Sequence, residues 1–325
     1  MALIPKSDDL NKKTKPTVGK IDIAKLVSDV KKSFGKEQGL AAQITTGNLV
    51  HRPIKDEEFL CWKDSPWQQL TGVKGIPFGR VVQIAGRPDS GKSTHALKFM
   101  KCAQDQGILV IYWETEGKIG MPRFQEHFSG DPSTILMVTS KMILEGGDQV
   151  ERYVHQAKAQ DPDCKIIIVW DSVGGSLAKN EDEGSLVDGK QLAAASKENG
   201  QVIRAFVRLM ERYKNREKNE ENIAVLLINQ VYANIGSVGQ KESGGQKVEY
   251  FSSIIIQLTK KSELLKQIKG TKVKEGIITR AKVRKNHLFT GSYSVAELEL
   301  EITAGDIRLA DETTKSVWEQ QTPDE

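Results

Sequence analysis

Gly86-Arg87-Pro88-Asp89-Ser90-Gly91-Lys92-Ser93 sets two glycines, a lysine and a hydroxyl at the spacing G-x-x-x-x-G-K-[ST]. That spacing is suited to holding phosphate. The glycines let the backbone curl until successive N–H groups face anionic oxygens, and a helix starting there adds partial positive charge. In this pattern Lys92 reaches the β- and γ-phosphates and the Ser93 hydroxyl ligates Mg²⁺. Together with Thr94, the whole run forms the candidate nucleotide contacts. A phosphate site of this kind also needs carboxylates. The unbroken apolar run Ile166–Trp170 ends in Asp171, placed to hold Mg²⁺ through its water shell. A second carboxylate, for the attacking water, is Glu114 or Glu116, directly after the apolar run Ile108–Tyr112.

The elements that must position these groups keep a rhythm. Apolar, β-branched-rich runs of about five residues recur at Val81–Ala85, Ile108–Tyr112, Ile135–Val138, Ile166–Trp170, Ile223–Ile228 and Ile254–Leu258. Continuous rather than alternating runs are expected of strands buried on both faces of a parallel sheet. Helical patterns lie between them, such as Ala96, Leu97, Met100 and Ala103, so the fold class is α/β with a largely parallel, doubly wound central sheet. The first site then sits in a strand–loop–helix context, at the carboxyl edge where open α/β sheets bind ligands. Residues 277–302 alternate apolar and polar, predicting two antiparallel strands at the sheet's edge. Residues 21–34 carry apolar side chains at three- and four-residue steps and predict a short amphipathic helix, stopped by Gly35. Residues 37–78, with three prolines, are expected at the core's edge.

Of the 325 residues 38% are hydrophobic and 28% charged, which excludes a disordered chain and supports a substantial core. No apolar run approaches the roughly 20 residues that span a bilayer, and the N-terminus lacks the apolar stretch of a secretory signal. Cys61, Cys102 and Cys164 fall in no metal-ligand spacing; a sparse, odd count points to a reducing, cytoplasmic compartment and no structural metal. Net charge is +4, but its distribution is uneven. Residues 260–287 hold ten Lys/Arg against Glu263 and Glu275, either a polyanion-binding face or a solvated loop flanking a strand. The expected organisation is a flexible basic arm over 1–20, a segment 21–55, a core over 56–310 and an acidic tail over 311–325. By composition alone, 231–246 is a mobile Gly/Ser-rich loop.

The order of these features resembles the RecA-type DNA recombinases, bacterial and phage-encoded, from about Ile21 to about Arg308. Lys32-Ser33-Phe34-Gly35-Lys36 is similar to that family's N-terminal element, which implies that 21–55 is an oligomerisation segment carrying a short docking helix. Ile76-Pro77-Phe78-Gly79-Arg80 resembles its lead-in to the phosphate loop, and Asp171-Ser172-Val173 its metal-binding strand end. Glu114-Thr115-Glu116 resembles a stretch whose last carboxylate activates water, which selects Glu116. Ile228-Asn229-Gln230 followed by 231–246 resembles a strand ending in a γ-phosphate-sensing Gln and opening into a second DNA-binding loop. The first such loop would be 183–192, including Lys190.

On the same resemblance, Arg204 takes a DNA phosphate, Ile235 wedges between bases, Tyr232 stacks on a base, Lys241 supplies charge, and Gly244 and Gly245 bring N–H groups to phosphates. Such contacts carry no base code. Lys285 and His287 fall where the family's cations reach a neighbouring subunit's γ-phosphate, and Arg123 lies near the adenine-stacking position. The resemblance therefore implies a DNA-dependent ATPase with ATP and Mg²⁺ as its cofactors. It would form filaments on single-stranded DNA and exchange strands with double-stranded DNA, in recombination and repair. Its partners would be DNA, copies of itself, and single-strand-binding or loader proteins, with no membrane. The alternatives are a ring helicase or translocase of the same fold, or a non-exchanging accessory paralogue. The chain departs from the bacterial pattern at His287, Arg123, Tyr232, Asn234 and Glu249, and on this comparison no counterpart of the bacterial C-terminal lobe is expected within these 325 residues.

Overall fold

The computed structural model describes residues 17–18, 21–33, 55–63, 65–117, 121–179, 190–216, 218–233, 240–242, 245–268, 271–288 and 297–310. They fall into two units, within 1–54 and 55–325.

In the first unit, β1 (Thr17–Val18) pairs antiparallel with β2 (Ile21–Asp22), and α1 (Ile23–Ser33) comes next. The helix starts two residues later than its apolar spacing predicts. Ile21 and Asp22 are taken into strand pairing, and the Asp22 carboxylate accepts from the Lys25 N–H at 3.0 Å as an N-cap does. The end of the arm read as flexible thus contributes a strand at 17–18.

The second unit opens with β3 (Phe59–Cys61), α2 (Trp67–Thr71) and β4 (Gly75–Pro77), where β3 and β4 form a small antiparallel sheet. Then come β5 (Val81–Gly86), α3 (Lys92–Asp105), β6 (Leu109–Glu114), α4 (Met121–Phe128), β7 (Ile135–Val138), α5 (Ile143–Gln160) and β8 (Ile166–Asp171). The chain continues through α6 (Lys190–Arg212), β9 (Ile223–Ala233), β10 (Gln240–Glu242), α7 (Gln246–Phe251), β11 (Ser252–Ile268), β12 (Thr271–Asn286), β13 (Glu297–Thr303) and β14 (Ile307–Leu309).

The main sheet runs β14-β13-β12-β11-β5-β9-β8-β6-β7. From β11 to β7 all pairings are parallel, and from β11 to β14 they are antiparallel. The structure is therefore α/β, with a largely parallel central sheet and an edge hairpin. Helices cover both faces, as a parallel sheet requires. Ile167 and Val169 point into the cluster formed with Leu97 and Met100 of α3. Their neighbours Ile166, Ile168 and Trp170 point into the opposite cluster with Val150 and Val154 of α5 and Ile203 and Phe206 of α6. Phe206 is fully buried, and truncating such a side chain to Ala costs about 3–5 kcal/mol. Among the described residues no helix is long and apolar enough to cross a membrane.

Two segments differ from expectation. β9 continues five residues past Ile228, and β10 returns against it with Lys241 opposite Tyr232 and Glu242 opposite Val231, so part of 231–246 is strand. Val231 and Tyr232 favour a pleated surface once a cross-strand partner exists. The basic run 260–287 lies in the long ribbon of β11 and β12 rather than in a loop. Its charges are partly paired: Glu263 sits between Lys260 at 3.0 Å and Lys274 at 2.8 Å, and Lys266 meets Glu275 at 3.2 Å. Hydrogen bonds from the two lysines pull the exposed Glu263 carboxyl down to about 2.

Candidate active site

The register brings the sequence's scattered candidates to one level. Gly86 pairs with Gln230, Asp171 with Ile228, and Glu114 with Asp171, across four neighbouring strands β5, β9, β8 and β6. β5, β6 and β8 reach their carboxyl ends here while β9 runs on to Ala233, and one cavity is lined by Pro88–Thr94, Glu114, Glu116, Asp171, Ser172 and Gln230. Leu97 and His127 also line it; neither stood out in the sequence as a site residue.

The phosphate loop leaves β5 at Gly86 and enters α3 at Lys92. Gly91 turns through φ +88°, and a Cβ there would come within 2.5 Å of Ile302 Cδ1 on β13, so both backbone and packing call for glycine. Asp89 also adopts a positive φ, +57°. The Ser90 hydroxyl and the Lys92 ammonium both donate to the Arg87 carbonyl, at 2.8 and 2.7 Å. Thr279 of β12 donates to the Ser90 carbonyl at 3.3 Å, bracing the loop from the edge strands. One turn into α3, buried His95 faces the Gly91 carbonyl at 2.9 Å, and burial pushes its pKa down to about 4 despite that contact.

Asp171 is buried at the end of β8. Burial raises its pKa to about 6; a hydrogen bond from Ser93 opposes the rise, the charges of Glu116 and Glu114 add to it, and Lys92 opposes it. The Tyr112 hydroxyl donates to Asp171 Oδ2 at 3.3 Å, and burial together with the neighbouring carboxylates drives the phenol well above its usual range. Ser93 and Asp171 thus place a hydroxyl and a desolvated carboxylate in contact. Both are hard oxygen donors, and the buried negative charge lacks a full counter-charge, a donor set that fits Mg²⁺.

The two acidic candidates separate in space. Glu114 turns its carboxylate onto backbone N–H groups of the adjoining turn. Glu116 Oε1 accepts from the Ser172 hydroxyl at 2.6 Å and from the Gln230 side-chain amide. Ser172 is itself fixed: its N–H donates to Thr115 Oγ1 at 3.0 Å, the Thr115 hydroxyl donates to the Ser172 carbonyl at 2.9 Å, and the Gly175 N–H donates to Ser172 Oγ at 3.1 Å. The sequence offered no signal for this clamp, because Thr115 and Ser172 lie 57 positions apart.

Lys285 and His287 are not among the residues lining this chain's own cavity. The Lys285 ammonium donates to the carbonyls of Glu249 at 2.8 Å and Tyr250 at 3.2 Å, at the end of α7. His287 is exposed, and its backbone N–H donates to Ser253. Arg204 is exposed on α6. Gly245 begins α7 at φ +82°, where a Cβ would lie 2.0 Å from Ser196 Oγ of α6. The side chains of Arg123, Lys190, Tyr232 and Lys241, all of Ile235 and Gly244, and most of 183–192 lie outside the described residues.

Residues 22–306 match the RecA N-terminal domain family. A protein RecA of Malacoplasma penetrans is 28% identical over 263 residues, covering 80% of this chain and 71% of that one. The counterpart of Ureaplasma parvum is 27% identical over 226 residues, 68% and 61% of the two chains. That of Mycoplasma pneumoniae is 28% identical over 243 residues, 73% and 66%.

Proposed function

Because this chain belongs to the RecA family, with most of its length matched, we propose that it is a DNA-dependent ATPase that assembles on single-stranded DNA and drives homologous pairing and strand exchange. The observation that carries the reading is the contact between Glu116 and Gln230. It ties a carboxylate beside the phosphate loop to β9, which runs on to Ala233.

Each residue then has a role. Lys92 exchanges the Arg87 carbonyl for β- and γ-phosphate oxygens, and the backbone of 86–91 cradles the rest. Ser93 and Asp171 would hold Mg²⁺, which when bound would neutralise charge developing on the phosphates. Glu116 orients the attacking water and takes its proton. The Gln230 amide has two donor hydrogens and a choice of acceptors, Glu116 or a terminal phosphate. Shifting between them biases β9 and the attached segment toward one of two states, a population shift set by differential affinity. Lys285 and His287 act on the nucleotide of the next subunit, as arginine fingers do. Contacts from Lys190, Arg204, Tyr232, Ile235, Lys241, Gly244 and Gly245 track the DNA backbone and base faces, so binding is salt-sensitive and independent of sequence.

The test is strand exchange between a circular single strand and a homologous linear duplex, with ATP supplied or withheld, alongside electron micrographs of the protein on single-stranded DNA. Nicked-circle product only with ATP, on helical filaments, is expected. Closed hexamers that unwind duplex without exchange would instead identify a ring translocase.

A further inference from the structure

No step of the proposed hydrolysis uses Glu114, although it lines the same cavity as Glu116. Its carboxylate is engaged elsewhere. Oε1 accepts from the backbone N–H of Glu116 at 3.1 Å and of Gly117 at 2.8 Å, and Oε2 accepts from Gly117 at 2.9 Å. Two successive N–H groups converge on one anion, a concave backbone arrangement that favours negative charge, and the chain then turns at Gly117 through a left-handed φ of +63°. Hydrogen bonds to an ionised acceptor are roughly twice as strong as neutral ones. The turn being held carries Glu116, whose own carboxylate must meet both Ser172 and Gln230.

We infer that Glu114 is a positioning residue: it clamps the 115–117 backbone so that the Glu116 carboxylate is presented to the phosphate end of the cavity, and it does not itself touch the reacting atoms. The inference rests on Glu116 being the group that activates water. A displaced general base is costly, since about 1 Å of misplacement loses ~100-fold in rate.

The experiment compares Glu114→Ala, Glu114→Gln and Glu116→Gln in the full chain. It reads single-stranded-DNA-stimulated turnover, the KM for ATP and hydrogen exchange at the amides of residues 116 and 117. In Glu114→Ala the two amides lose protection and kcat falls roughly 10- to 100-fold with KM little changed. In Glu114→Gln the side-chain oxygen still accepts, so protection and most of the turnover return together. Turnover lost while protection stays intact would mean that the charge of Glu114 acts directly on the reacting groups, and the inference falls. Protection lost with turnover unchanged overturns it as well. Full turnover in Glu116→Gln removes the underlying assignment of the base, whatever the Glu114 variants do.

Discussion

Lys285 reaches back within its own subunit to the Glu249 carbonyl, 2.8 Å away, and so caps the end of the helix that begins at Gly245. A cation at a helix C-terminus is favourable by about 0.3 to 1 kcal/mol when exposed. If Lys285 acts on a neighbouring subunit's nucleotide as proposed, a phosphate there would offer much more charge, and the ammonium would have two competing partners. Lys285→Ala is expected to cut DNA-stimulated ATP turnover at least about 10-fold while nucleotide binding by the unassembled protein changes less than about 2-fold. Fluorescent-nucleotide titration below the assembly concentration separates the two. Collapse of binding there would place Lys285 in its own subunit's site.

Lys92 supplies the charge inside the loop. It is buried and hydrogen-bonded to the Arg87 carbonyl, which holds the ammonium inside the loop until a phosphate replaces that carbonyl. Lys92→Ala is expected to lower hydrolysis by at least about 100-fold, the scale on which preorganised donors act. Because the Arg87 carbonyl still has the Ser90 hydroxyl, the loop keeps its shape and the melting temperature should move little. Normal turnover in this variant removes the assignment of the phosphate site.

How much of the fold and site was legible in the sequence depends on the range of the interaction. Ile166–Trp170 read as a strand buried on both faces because the apolar run is continuous, and the loop 86–93 announced itself because its glycines are demanded by local backbone geometry. The choice between Glu114 and Glu116 could not be made from residue types, since both are carboxylates after the same strand. It depends on where each side chain turns, and that is set by pairing Glu114 with Asp171 across β6 and β8. Tyr112 read as one more apolar strand residue because its hydroxyl finds Asp171 only through the same pairing. The extension of β9 to Ala233 was hidden for a related reason: a Gly/Ser-rich composition reports weak local preference, whereas β10 supplies a cross-strand partner.

Asp171 makes stability and function pull in opposite directions. Its carboxyl pKa rises from the ordinary 3.8 to about 6 on folding. A raised carboxyl pKa means stability that is present below about 3.8 and is lost as pH climbs through about 6. At ~1.4 kcal/mol per tenfold change in proton affinity, the ionised group costs roughly 3 kcal/mol at neutral pH in the nucleotide-free protein. Asp171→Asn should therefore raise the nucleotide-free melting temperature at about pH 7 while abolishing Mg²⁺-dependent hydrolysis. That gain should shrink as pH falls from about 6 toward about 4. Thermal melts of both proteins across this range check it, and a gain independent of pH would trace to packing. His95 runs the other way: its pKa falls from 6.5 to about 4, so its contribution is full above about 6.5 and is lost on acidification. Between about pH 4 and about pH 6 the two groups therefore change stability in opposite directions, and their combined pH dependence is expected to be shallow.

Glu116→Gln isolates the chemical step from the conformational one. The substituted amide keeps an oxygen that can accept from Ser172 and Gln230, so the contacts that place the side chain survive. What it loses is the negative charge that draws a proton from water, and general-base catalysis contributes roughly 10²–10⁴-fold. ATP should bind with nearly unchanged affinity and be hydrolysed at least about 100-fold more slowly. If hydrolysis is what returns Gln230 from phosphate to residue 116, assemblies of the variant on single-stranded DNA should persist after free ATP is removed, whereas the native protein's dissociate. Light scattering during a chase with excess competitor DNA reads this directly. Rapid ATP-dependent disassembly by the variant would place the base elsewhere, and the contact between residues 116 and 230 would then be a brace rather than a relay.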